Sequence, residues 1–144
     1  TSEINIDKSV LTRIQKNISN NCTGVFNSAT FRDFVLAGYR NSCAITDEKD
    51  TRNIDVVYIR PIDNGGSCMP NNGIALSKTL SLAFLTGRFT ISTNNTVIVH
   101  PQNDDENLNA YANTNLFVPS LEFFRPDKES LQYHRNYVFG SFLR

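Results

Sequence analysis

Two histidines and three cysteines are the side chains with most chemistry to offer in this sequence of 144 residues. His100 stands directly before Pro101, and His134 lies in the segment "SLQYHRN". A general base needs an oriented partner within hydrogen-bond reach. Neither histidine sits in a serial pattern that supplies one: there is no GxSxG elbow and no HExxH pair. Both therefore read as surface histidines. A Cys–His pair adjacent only in space would escape such a search, but no residue nominates one. Cys22, Cys43 and Cys68 form no CxxC motif and have no nearby histidine, which argues against structural zinc.

Oxygen ligands gather in "TDEKD" (46–50) and "NDDEN" (103–107). Both lack the alternating spacing and closing Glu of a calcium loop, so they read as solvated acidic loops. Gly65-Gly66 follows a strand-like run but opens no helix, and so cradles no phosphate. Sequons at Asn17, Asn21 and Asn94 are expected by chance in so Asn-rich a chain. These readings lead to an expectation of no catalytic residue, no metal, no cofactor and no enzymatic activity.

The elements that must position these residues follow from periodicity. Fourteen basic and fourteen acidic side chains cancel, so no overall field draws nucleic acid or an anionic membrane. The length suits one domain over 1–144, helical within 5–40 and sheet-forming within 54–143. No apolar run reaches about eighteen residues, and no secretory signal is visible at the start. The chain is then either cytosolic or begins after a removed segment.

Val10, Leu11, Ile14 and Ile18 mark one face of a helix over 7–19. Phe31, Phe34 and Val35 mark a second helix, with Gly38 as its left-handed terminator. After residue 54 the period shortens to two. "DVVYIR", "TLSLAFL", "FTIS" and "TVIVH" read as strands, the last three as a meander. "SLEFF" and "SLQYHRN" read as a hairpin turned by Pro126-Asp127, and "YVFGSFL" as a last strand. Gly140 there marks a bulge or a close backbone approach. Helices first and five or six mostly antiparallel strands after them define an α+β class.

Against this organisation, "LAGYRNSC" resembles the helix exit of PilW-type minor pilins of type IV pili, in which an Ala-Gly-Tyr ending precedes a cysteine. The resemblance implies a pilin-like head, helices packed on a mostly antiparallel sheet, with Gly38 and Tyr39 as a structural turn. It implies a minor pilin or pseudopilin subunit, exported to the cell surface or periplasm. Its partners would be other pilin subunits, met through a removed N-terminal helix and exposed loops such as 101–115, and not nucleic acid. The full-length form would be membrane-anchored before assembly, and this fragment monomeric. The alternative is a secreted or surface-exposed binding domain, an adhesin or receptor-binding module, unrelated to pili. A disulfide is expected between Cys43 and Cys68, which flank the "DVVYIR" strand, leaving Cys22 free. A Cys22–Cys43 bridge and three reduced thiols are the rivals.

Overall fold

The computed structural model describes residue 22 and residues 24–144. The helix expected over 7–19 lies outside the described residues. The chain has the expected α+β class, but among the described residues the strands form two separate antiparallel pairs. The first joins β1 (Ile54–Tyr58) to β2 (Gly73–Ser77), with Ile54 opposite Ser77 and Tyr58 opposite Gly73. The second joins β3 (Phe89–Ile91) to β4 (Val97–Val99), with Phe89 opposite Val99. Its turn was expected from "TNN", and Asn95 there takes a φ of 58°.

Helix α1 (Phe31–Gly38) lies against the first hairpin. Its Phe31, Val35 and Leu36 are buried, one apolar stripe facing inward. The approach is close because β2 opens with Gly73. A Cβ there would stand 2.5 Å from Val35 Cγ2 and 2.6 Å from Phe31 Cζ. On the solvent side, the Arg32 guanidinium donates to the Ile54 and Thr51 carbonyls at 2.9 and 2.8 Å, pinning the start of β1.

Gly38 has a different use from the one expected. It keeps helical backbone, and a Cβ on it would meet Phe124 Cβ at 2.9 Å. The left-handed exit falls on Arg40 (φ 56°) and Asn41 (φ 57°), and the Asn41 N–H reaches back to the Leu36 carbonyl at 2.8 Å.

Several expected strands are helical. "TLSLAFL" lies within α2 (Lys78–Leu85), which leaves β2 without a loop. Leu80, Ala83 and Phe84 fall at i, i+3 and i+4 and are buried, while Leu82 and Leu85 face solvent. Seven residues fit both periods, and the packing of Leu80 and Phe84 decides. A short α3 (Glu106–Asn109) follows in the polar loop. "SLEFF" ends in a single 3₁₀ turn, Glu122–Phe124. "SLQYHRN" is α4 (Lys128–Tyr133) continued by a π-helical turn, His134–Val138. Asp127 accepts from the Ser130 N–H at 3.0 Å, so "PDKES" is a helix cap and not a hairpin turn. "YVFGSFL" finishes in a 3₁₀ turn at Ser141–Leu143. Gly140 has φ 87°, and its N–H meets the Gly87 carbonyl at 2.8 Å, the close backbone approach expected of it.

The disulfide joins Cys22 to Cys68, with Cα atoms 4.9 Å apart, and Cys43 is free and buried. The expected Cys43–Cys68 bridge is thereby corrected. Cys43 sits against Ser77, at one end of the first hairpin, and Cys68 contacts Tyr58 at the other. Four residue steps of strand cover about 13 Å, well beyond bridging reach.

Candidate functional site

The residues singled out in the sequence are mostly engaged in building the fold. His134 is 1% exposed and stacks on Phe84 with ring centres 3.8 Å apart. Its Nε2 donates to the Phe84 carbonyl at 2.8 Å, since a carbonyl only accepts. Nδ1 must then accept from the Thr90 hydroxyl at 2.7 Å. Burial pushes its pKa down from 6.5 to about 4, so it is a neutral core residue. The expectation of a surface histidine is corrected there. His100 is half-buried between Phe139 and Phe142, and its Nδ1 accepts from the Gln102 N–H at 3.1 Å.

The acidic loops are likewise committed. Asp50 caps a 3₁₀ turn and pairs with Arg52 at 2.8 Å, which holds its carboxyl below the usual range. Asp105 caps α3, and Asp104 pairs with Arg88 at 3.0 Å. Among the described residues no three His, Cys, Asp or Glu side chains gather as a metal site.

Two other constellations were missed from sequence. The first ties α2 to β1. Ser81 donates to Asp55 at 2.7 Å, and Lys78 reaches the other carboxylate oxygen at 3.1 Å. The Ser81 hydroxyl, then Lys78, hold the Asp55 carboxyl below its ordinary pKa. Ser81 is 3% exposed, so this cluster fastens the helix and presents no nucleophile to solvent. Beside it lies a shallow apolar groove of about 440 Å³ along Val56, Tyr58, Ile62 and Leu85.

The second constellation surrounds the exit of α1, and of the two residues expected to form the turn, Gly38 and Tyr39, it includes Tyr39. Here an open groove of about 550 Å³ is lined by Tyr39, Arg40, Cys43, Lys49, Asn115 and Phe117. That volume is in the range of small-molecule sites. The Cys43 Sγ accepts backbone N–H bonds from Ile45, Thr46 and Ser77 at 3.4, 3.3 and 3.3 Å. These bonds fix the loop to the end of β2. Ala44 adds a bond to the Ala75 carbonyl at 2.8 Å, and the Phe117 N–H meets the Ala44 carbonyl at 2.8 Å. Both walls are thus anchored by main chain.

On this frame the Arg40 guanidinium lies 5.7 Å from the centre of the Phe117 ring, which is 38% exposed. Tyr39 is 1% exposed, and its hydroxyl has no hydrogen-bond partner among the described residues. Burial drives its pKa far above the ordinary phenol value. Arg40 is also one of the non-glycine residues in the left-handed region, an uncommon conformation for a residue of its size. No sequence signal marked the groove, because its walls come from segments about seventy residues apart.

No protein-family model and no curated protein matches the sequence. Among solved structures, the fold is similar to that of a modification-dependent TagI restriction endonuclease, with a TM-score of 0.60 and 17% identity. The likeness covers 81% of this chain but 39% of that one, so this chain spans about two fifths of the endonuclease's length. At this identity the likeness defines a class of fold, one that a nuclease carries. It corrects the expectation that the chain is no enzyme. That expectation rested on missing serial motifs, whose absence does not exclude an enzyme.

Proposed function

We propose that this chain is a nuclease-type domain that engages nucleic acid as part of a longer protein. The observation that carries the reading is the fold likeness to a restriction endonuclease over four fifths of the chain. The reading departs from the expectation, drawn from neutral charge, that nucleic acid is not a partner. A balanced net charge removes long-range attraction but leaves local contacts free to act. Arg40 and Lys49, on one groove, form no ion pair among the described residues. They supply such contacts.

The test is incubation of the purified chain with duplex and single-stranded DNA, modified and unmodified, with and without Mg²⁺ or Mn²⁺. Mobility shift and strand scission are read side by side. A saturable shift is expected at micromolar protein. Neither shift nor scission on any of these substrates would sink the reading.

A second reading keeps the minor-pilin or pseudopilin subunit, at the cell surface or in the periplasm, with other pilin subunits as partners. The Cys22–Cys68 bridge favours it, since disulfides persist in oxidising compartments. Among the described residues no helix is long and apolar enough to cross a membrane. Fractionation of the native host separates the two readings. Recovery from sheared surface fibres supports the pilin subunit, and recovery with nucleoprotein supports the nuclease-type domain.

A further inference from the structure

The groove at the exit of α1 holds two features that the fold alone does not account for. Phe117 leaves over a third of its surface in water while Arg40 lies over its ring. Arg40 and Lys49 bring two positive charges to a rim where Asp47 is the single carboxylate.

We propose that this groove binds one unpaired nucleotide unit, its base against Phe117 and its phosphate on Arg40 and Lys49. The inference rests on the nuclease-type reading and deepens it by naming the ligand. Aromatic faces accept any base by stacking, and a guanidinium beside the ring adds its own planar surface. Guanidinium and ammonium groups take the phosphate, the first as a fork and the second as a point charge. The main-chain bonds that anchor Ala44 and Phe117 hold the walls in place before the ligand arrives, which lowers the cost of binding.

The experiment is a fluorescence-anisotropy titration of a labelled single-stranded 12-mer, of a fully paired duplex and, separately, of fluorescently labelled AMP. Phe117→Ala, Arg40→Gln and Tyr39→Phe are compared with the parent chain. Loss of base stacking in Phe117→Ala should weaken the single strand roughly 5- to 100-fold. Tyr39→Phe, at a hydroxyl sealed from the groove, is the control and should bind as the parent does. Binding of the parent to DNA with Phe117→Ala and Arg40→Gln unaffected would overturn the groove and leave the nuclease-type reading standing. Absence of binding to every oligonucleotide, with AMP binding lost in Phe117→Ala, would assign the groove to a free nucleotide and overturn the nuclease-type reading. Absence of binding to both would overturn both.

Discussion

His134 is where a single side chain most changes the behaviour of the molecule with pH. Its folded pKa of about 4 lies below the ordinary 6.5, so the unfolded chain takes up the proton first as pH falls. Stability is therefore full above about pH 6.5, declines between 6.5 and 4, and is level below 4 as far as this group is concerned. The difference of about 2.5 pKa units corresponds to a loss of about 3 kcal/mol across that window. Urea unfolding at half-unit pH steps measures it, and the His134→Gln variant should flatten the slope even if it is less stable throughout. A slope equal in both proteins would refute this assignment. Cys43 gives a second expectation. It is buried and takes three backbone N–H bonds on sulfur, so it should resist alkylation until the chain unfolds. Cys43→Ala orphans those donors and should cost about 2 kcal/mol, with Cys43→Ser less harmful because an oxygen can still accept. Rapid native-state labelling of this thiol would contradict the burial. From sequence, His134 reads as a surface residue and Cys43 as half of a bridge, because their partners Thr90, Phe84 and Ser77 are distant along the chain.

At the scale of elements, what could be read locally was read. The stripe of Phe31, Phe34 and Val35 marked α1, and the β-branched run of "DVVYIR" marked β1. The β3–β4 hairpin was visible from its turn. Helix α2 was not, since Leu80, Leu82 and Phe84 satisfy the period of a strand while Leu80, Ala83 and Phe84 satisfy that of a helix. Strand β2 escaped because all of "GIAL" is buried, leaving no alternation to detect. Helix α4 was hidden by reading Pro126-Asp127 as a turn, when Asp127 accepts the Ser130 N–H and hydroxyl. Asp127→Ala should cost about 1 kcal/mol, seen as a lower urea midpoint with an unchanged slope. No change would mean that the cap contributes nothing to α4. The groove was illegible for a related reason. Its aromatic wall at 117 is carried to the α1 exit by a segment that bridges to the second hairpin at Thr96 and Asn115.

Across the whole molecule, the Cys22–Cys68 bridge closes a span of 46 residues that contains α1 and β1. On the chain-entropy model such a loop contributes roughly 4 kcal/mol by restricting the unfolded state. Non-reducing peptide mapping should recover Cys22 joined to Cys68, and reduction should lower the denaturation midpoint sharply. Recovery of Cys43 in the bridged peptide would contradict the pairing. The central claim, that a chain of no net charge engages nucleic acid through a local site, is tested most directly by the salt dependence of binding. Anisotropy titrations of a single-stranded oligonucleotide are run from 25 to 200 mM salt. One phosphate, shared by Arg40 and Lys49, predicts a log–log slope of roughly −0.7, shallower still in Arg40→Gln. Saturable binding with that shallow slope is the expected result. Absence of binding at 25 mM salt, or a steep slope that Arg40→Gln leaves untouched, would contradict the account.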